Sequence, residues 1–235
     1  RELVEGQAID PRGELVFKGH LRDGGVSWVM RVLHRESDSH RAMKVIRPEL
    51  LADARVAREQ ERELERSAAV PGDFAVRLFD VGRLPLAAAP GAEPLWYLTT
   101  EWLDGRSVRE EIARAGGTLS PERAFSVALQ AARAVGELHR CGIVHGDLRP
   151  EHLVVGRSNA VRLIDYGVAP AVRERAETLW GVPWRSSRVV APEVARVGAA
   201  AATPAADVYQ LGVLTYELFV GRPCSPFVAY CLWPR

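Results

Sequence analysis

The chain has 235 residues, with 31 basic and 30 acidic side chains, so its formal net charge is +1. Apolar residues make up 47% and charged residues 26%, which is typical of a globular domain and excludes disordered, collagen-like and coiled-coil chains. A nearly neutral chain gives no electrostatic reason to expect a nucleic-acid partner or an anionic membrane surface. The length suits one large domain or two lobes that share a cleft.

The basic residues are almost all arginine: 29 are arginine, and Lys18 and Lys44 are the two lysines. Because this chain uses arginine almost everywhere, a position that holds lysine is more informative about function than usual. Asparagine occurs once, as Asn159.

The three cysteines are odd in number and have no CxxC spacing, which favours a reducing, cytoplasmic location over a disulfide framework or a zinc site. No stretch reaches about 18 uninterrupted apolar residues, so no membrane span is expected. The N-terminus has neither a starting methionine nor a signal-peptide pattern, so we expect the sequence to be an excerpt of a longer protein.

The first hundred residues predict strands around one helix. The turn Asp23-Gly24-Gly25 indicates a hairpin, and a Glu-, Arg- and Ala-rich run predicts an exposed helix over residues 48–69. An Ala- and Pro-rich segment at residues 86–94 is expected to be a surface loop. The predicted strands are residues 15–19, 26–33, 41–46, 74–81 and 95–100.

The rest of the chain predicts helices with two short strands between them. Ser120 and Pro121 are a strong helix start, and apolar residues recur with a 3.6-residue period until Gly142. Strands are predicted at residues 153–155 and 161–164, an Ala-rich loop at 197–206, and a buried helix at 207–220. A β-rich part followed by an α-rich part predicts an α+β chain of two lobes.

Two acidic motifs flank the short strands. His145-Gly146-Asp147 follows the helix end, and Asp165-Tyr166-Gly167 follows the second strand. Two acids held on loops by a rigid strand pair suit phosphoryl transfer, in which one receives the hydroxyl proton and the other holds a metal.

With these motifs, the sequence resembles the protein kinase family, in particular the bacterial Ser/Thr kinases of eukaryotic type. The resemblance runs along nearly the whole chain in the family's order, and it continues through Ala191-Pro192-Glu193 and the helix motif that begins at Asp207. It implies one two-lobed, kinase-like domain over residues 1–235, with an N-lobe at about 12–101, a hinge at 101–105 and an incomplete C-lobe at 106–235.

The resemblance implies a nucleotide site at the N-lobe and hinge. Lys44 falls where the family's lysine pairs with ATP phosphates, and Thr100 takes the gatekeeper position. Glu63 is the first choice for the glutamate that pairs with this lysine, and Glu61 is the alternative. The other residues expected around the nucleotide are Leu21, Gly24, Val29, Ala42, Glu101 and Leu103.

The resemblance also assigns the catalytic and metal positions. Asp147 takes the position of the base, and Arg149 replaces the family's phosphate-contacting lysine. Asp165 is expected to hold the metal. His152 replaces the asparagine that binds a second metal, and since Mg²⁺ prefers oxygen ligands, we expect better activity with Mn²⁺ than with Mg²⁺.

Other departures concern regulation. In the family, an arginine at this position interacts with the phosphorylated activation loop. Gly146 replaces that arginine, so activation is not expected to require phosphorylation of the loop. Val182 replaces the threonine that contacts the catalytic pair, and the family's last helices do not follow. Thr178, Ser186 and Ser187 are candidate phosphorylation sites.

The implied function is an ATP-dependent protein kinase that phosphorylates Ser or Thr hydroxyls of protein substrates. The alternative is a pseudokinase or regulatory nucleotide-binding module with little or no phosphotransfer. It is favoured by His152, by Val182 and by the segment that matches the family's glycine-rich loop, in which Gly24 is kept and Arg22 and Ser27 replace the outer two glycines. The presence of Lys44 and both aspartates favours the enzyme.

Overall fold

The computed structural model describes residues 3–19, 22–84, 94–181, 190–198 and 201–224. A β-sheet with one long helix forms the N-terminal part, and helices with a small second sheet form the C-terminal part. The predicted α+β fold is confirmed. Leu21, Val182, Ser186, Ser187 and most of the 86–94 loop lie outside the described residues, as do residues 225–235.

The N-terminal sheet is antiparallel, with the order β1-β3-β4-β6-β5 and with β2 paired to β3. In this register Lys44 lies opposite Val29 on one side and Leu98 on the other. The sheet therefore holds this lysine on its central strand. The strands are β1 (Leu15–Phe17), β2 (Arg22–Asp23), β3 (Ser27–His34), β4 (Ser39–Ile46), β5 (Leu78–Leu84) and β6 (Leu95–Glu101).

The strand predicted at residues 74–81 begins only at Leu78, because the residues before it join the two lobes. The amides of Phe74 and Ala75 each donate to the Glu137 carboxylate at 3.0 Å, and Ala75 forms a parallel bridge with Leu163. This connection between the lobes was not apparent in the sequence.

Helix α1 (Ala54–Ser67) is shorter than the predicted 48–69 segment. Pro48–Leu50 forms a separate 3₁₀ turn, and the Asp53 side chain then starts α1 by accepting bonds from the amides of Arg55 and Val56. Val56 and Leu64 are buried on the inner face of the helix. This face determines which α1 side chains reach the cleft.

The C-terminal part packs around α3, which Ser120 caps through the Arg123 amide. Leu138 and Leu163 are completely buried in its core. The elements are β7 (Arg106–Ser107), α2 (Val108–Arg114), α3 (Pro121–Arg140), a 3₁₀ turn (Pro150–His152), β8 (Leu153–Val155), β9 (Val161–Leu163), α4 (Pro170–Trp180), α5 (Pro192–Val197) and α6 (Pro204–Val220).

Helices α6 and α4 also differ from the sequence predictions. Helix α6 begins at Pro204, inside the segment predicted as a loop, because proline suits the first helical position. Helix α4 was not predicted, although Pro170 at its start and Gly181, with φ of 62° at its end, are helix-boundary signals. None of the described helices is long and apolar enough to cross a membrane.

Candidate active site

A cleft of about 440 Å³ lies between the sheet and the C-terminal part. Its walls include seven of the predicted nucleotide- and metal-site residues, although they come from distant parts of the chain. The cross-strand pairing of Ala42 with Thr100 places two of them side by side. The seven are Val29, Ala42, Lys44, Thr100, Glu101, Leu103 and Asp165.

At the bottom of the cleft, Lys44 forms an ion pair with Asp165. The Nζ–Oδ1 distance is 2.6 Å, and Lys44 is 8% exposed. Burial of Asp165 opposes its ionisation, but the Lys44 ammonium and the His152 ring outweigh this effect and lower its pKa well below the ordinary value. Asp165 is therefore a carboxylate, directed at the cleft by a left-handed backbone with φ of 73°.

The expected ion pair between Lys44 and Glu63 is not formed in this structure. Glu63 is 4% exposed, and its Oε2 lies 3.4 Å from Arg66 Nη1. Burial raises the pKa of Glu63, and Arg66 and Arg173 partly offset that rise. The alternative, Glu61, contacts Arg83 at 3.7 Å on the surface.

Helix α1 presents Gln60, and not Glu63, to the Asp-Tyr-Gly segment. Gln60 Nε2 donates to the Gly167 carbonyl at 2.7 Å, and Gln60 Oε1 accepts from the Ala169 amide at 2.9 Å. Both of its hydrogen-bonding groups are therefore used at this position. Sequence reasoning missed Gln60 because its partners lie more than a hundred positions away.

Asp147 lies on a loop that is held by neutral His145. The completely buried His145 ring donates from Nε2 to the Ile164 carbonyl at 2.9 Å and accepts at Nδ1 from the Asp147 amide at 3.2 Å. Burial and the nearby His152 lower the pKa of His145 to about 4. The ring therefore keeps this donor–acceptor arrangement at neutral pH.

Asp207 fixes the same loop from α6. Its carboxylate accepts from the amides of His145 at 2.8 Å and Gly146 at 2.7 Å, and it lies 2.8 Å from His139 Nε2. Gln210, one turn later, accepts from the Leu148 amide at 2.9 Å. The helix motif that begins at Asp207 is the sequence signal for the Asp207 contacts with this loop, whereas no sequence prediction was made for Gln210.

His152 lies between the two aspartates. Its Nδ1 donates to the Asp147 carbonyl at 2.7 Å, and its Nε2 accepts from Arg149 Nε at 3.3 Å. Nε2 also lies 3.3 Å from Asp165 Oδ2. Since a carbonyl can only accept, the ring has a proton on Nδ1, and its Nε2 lies between the Arg149 guanidinium and the Asp165 carboxylate.

Arg149 lies beside Asp147, the predicted base, with its Nε 3.5 Å from Asp147 Oδ2. Asp147 is 6% exposed. Of the four residues predicted around the reacting phosphate, His152 contacts the other three, Asp147, Arg149 and Asp165. Among the described residues, no group of three or more His, Cys, Asp or Glu side chains is arranged to hold a metal by itself.

The glycine-loop turn is closed over Gly24. The Gly24 amide donates to the Ser27 carbonyl at 3.0 Å, and a Cβ at this position would lie 2.9 Å from the same oxygen. Arg47 also donates to the Gly24 carbonyl at 3.3 Å and stacks on Trp28. Gly24 is required by this tight turn.

Comparison with known proteins identifies the family. The protein kinase domain family matches residues 15–228. The chain is 32% identical to the Ser/Thr-protein kinase PknB of Mycobacterium tuberculosis over 213 residues, which are 90% of this chain and 32% of the relative. It is 29% identical to M. tuberculosis PknL over 227 residues, which are 97% of the chain and 53% of that relative.

A solved structure has the same fold. The M. tuberculosis PknI kinase domain matches with a TM-score of 0.71 at 22% identity, covering 94% of this chain and 77% of that one. The chain spans about a third of the length of the PknB relatives. From the family match over residues 15–228 and the shared fold, the chain belongs to the eukaryotic-type protein kinase family.

Proposed function

We propose that this chain is the single kinase domain, over residues 1–235, of an ATP-dependent Ser/Thr protein kinase. The observation that carries the proposal is the ion pair of Lys44 with Asp165 at the cleft, together with His152, which lies within 3.5 Å of the Asp147 carboxylate and 3.3 Å of the Asp165 carboxylate. The relatives named as Ser/Thr kinases support protein hydroxyls as the acceptors.

The nucleotide lies in the cleft beneath the sheet. The apolar side chains of Val29, Ala42 and Leu103 enclose the base, and the hinge backbone at Glu101 and Leu103 offers hydrogen bonds to it. Glu101 itself is fixed by an ion pair with Arg162 at 2.8 Å. Lys44 binds phosphate oxygens once its contact with Asp165 is exchanged for them.

Phosphate transfer uses the residues at the bottom of the cleft. Asp147 orients the substrate hydroxyl and accepts its proton, and Arg149 offers a positive charge beside it. Asp165 and His152 would supply an oxygen and a nitrogen donor to a divalent cation. When bound, such a cation would neutralise charge on the transferring phosphate.

The enzyme is tested by comparing the chain's two lysines. Lys44→Met is expected to reduce transfer of labelled phosphate from ATP to a mixed Ser/Thr peptide library by at least about a hundredfold, because it removes the phosphate-binding ammonium. Lys18→Met removes a half-buried lysine that does not line the cleft and is expected to leave the rate within about twofold.

Equal rates for the two lysine variants would contradict the kinase proposal. If the wild-type chain transfers no phosphate, a nucleotide-dependent rise in melting temperature separates the alternative, a nucleotide-binding pseudokinase module, from a chain that binds no nucleotide.

The metal preference depends on His152. We expect faster transfer with Mn²⁺ than with Mg²⁺, since His152 Nε2 lies 3.3 Å from Asp165 Oδ2 and nitrogen ligands suit Mn²⁺ better than Mg²⁺. His152→Asn restores an oxygen donor, so its Mn²⁺/Mg²⁺ rate ratio is expected to fall about fivefold or more. Nucleotide affinity measured by calorimetry with each metal is expected to show the same change. An unchanged ratio in both measurements would contradict a ligand role for His152.

The remaining assignments follow from the sequence. The partners are ATP and protein substrates, and the near-neutral charge gives no support for a nucleic-acid partner. A cytoplasmic location is proposed from the odd number of cysteines and their spacing.

A further inference from the structure

Helix α4 lies between the catalytic loop and helix α1. On one side Val172 packs in a buried cluster with Leu50 and Val56, which belong to the 3₁₀ turn before α1 and to α1 itself. The amide of Ala169, immediately before α4, donates a hydrogen bond to Gln60 Oε1. The position of α1 therefore depends on where α4 lies.

On its other side, α4 inserts Arg173 into the catalytic loop. Arg173 is 4% exposed, and its Nη1 donates to the His145 carbonyl. Burial lowers the pKa of Arg173. Four carboxylates oppose that effect, because their negative charges stabilise the buried guanidinium. These acids are Asp147, Asp207, Glu63 and Asp165.

The guanidinium fits there because residue 146 is glycine. A Cβ built on Gly146 would overlap Arg173 Nη1. Gly146 also has φ of 71°, a conformation that side chains rarely adopt. The family resemblance leads one to expect an arginine side chain at position 146. Here that position has no side chain, and the guanidinium of Arg173 from α4 lies against it.

We propose that Arg173 is an internal ligand of the catalytic loop, bound against Gly146, and that it holds the domain in a resting arrangement. In this arrangement α4 keeps Gln60 of α1 against the Asp-Tyr-Gly segment, and Lys44 pairs with Asp165 instead of Glu63. Withdrawal of Arg173 releases α4, which allows α1 to turn Glu63 toward Lys44.

The far end of α4 provides a second attachment. Trp180 stacks on the Arg47 guanidinium at 5.6 Å, and Arg47 in turn donates to the Gly24 carbonyl in the glycine-loop turn. Helix α4 therefore contacts both the catalytic loop and, through Arg47, the loop that covers the nucleotide. The resting arrangement is expected to weaken nucleotide binding, because it engages Lys44 and restrains this loop.

The test compares two variants that act on opposite sides of the contact. Arg173→Gln shortens the inserted side chain, and Gly146→Ala closes the space that receives it. Arg175→Gln is the matched control, since Arg175 lies on the same helix but donates only to the Glu49 carbonyl, at 3.2 Å and on the exposed side. Far-UV circular dichroism and melting establish which variants fold.

Two measurements are made on each folded variant: amide hydrogen exchange of residues 170–180, and the affinity for a non-hydrolysable ATP analogue with Mn²⁺ or Mg²⁺. We expect Arg173→Gln and Gly146→Ala to exchange at least about tenfold faster and to bind the analogue about fivefold more tightly. The control is expected to stay within about twofold of wild type in both measurements.

Unchanged exchange, or faster exchange without tighter nucleotide binding, would overturn the proposal. Failure of both variants to fold would also overturn it, since Arg173 would then be a fixed structural element that cannot be released. Neither measurement requires phosphate transfer, so the proposal can hold or fail independently of the kinase activity.

Discussion

Asp147→Asn is expected to lower the rate of phosphate transfer by about 10²–10⁴-fold, the range that a positioned general base contributes. Asparagine has nearly the same shape as aspartate, but its amide cannot accept the proton of the substrate hydroxyl. It also lacks the negative charge that faces Arg149 Nε at 3.5 Å. We expect nucleotide affinity to change much less than the rate, because Asp147 does not line the described cleft wall.

The measurement is the rate of labelled phosphate transfer at saturating ATP, together with the dissociation constant of the ATP analogue. Asp73→Asn is the matched control, because Asp73 is an exposed aspartate outside the cleft. It is expected to transfer phosphate at the wild-type rate. If Asp147→Asn retains more than about a tenth of that rate, Asp147 is not the base.

The largest effect on stability is expected at Asp207. Its carboxylate is completely buried and accepts bonds from the His145 and Gly146 amides. In Asp207→Asn, the amide group would direct a donor toward one of these donors. We expect the free energy of unfolding to fall by about 3–5 kcal/mol, the usual cost of disrupting a buried, hydrogen-bonded charge.

Urea denaturation at pH 7 measures this loss, and Asp73→Asn again serves as the control, with an expected change of less than about 0.5 kcal/mol. A loss below about 1 kcal/mol in Asp207→Asn would show that the loop does not depend on this carboxylate.

The dependence of the free energy of unfolding on pH, in the acidic range, provides a second measurement of the contribution of Asp207. Burial opposes ionisation of Asp207, but His139 and the backbone donors outweigh it, so its pKa is lowered in the folded state. Its contribution is therefore present above the unfolded-state pKa of about 3.9 and is lost as the pH falls through the folded-state value. Asp207→Asn is expected to remove this part of the curve.

A separate decline is expected at higher pH because of His145. Its folded-state pKa of about 4 lies below the ordinary value, so between about pH 6.5 and 4 the unfolded chain binds the extra proton and stability decreases as the pH falls. The two residues thus act in adjacent pH ranges.

The sequence was most informative where the chemistry is local. Lys44, Asp147 and Asp165 were predicted because each belongs to a short motif beside a strand, and strand pairing positions such residues at or near the cleft. The contacts of α1 were not predicted, because they depend on Gln60 and the segment around Ala169, which are distant in sequence. For this reason the sequence did not indicate that Lys44 pairs with Asp165, and not with Glu63, in this structure.

Helix α4 illustrates a different limit. Pro170 and Gly181 marked its ends, so the helix itself was within reach of sequence reasoning. The position of Arg173 was not, because its neighbours His145, Asp147 and Asp207 meet only in the folded chain. The chain offers 29 arginines, and sequence alone does not distinguish a buried one.

The overlap between a side chain at position 146 and the Arg173 guanidinium makes the two positions epistatic. Even the first side-chain carbon of an arginine at 146 would meet the Arg173 guanidinium while Arg173 remains. Grafting the family's arginine into this chain would therefore require a shorter residue at 173 as well. Single-site scans would score position 146 as intolerant for two reasons, its own left-handed backbone and a side chain that belongs to α4.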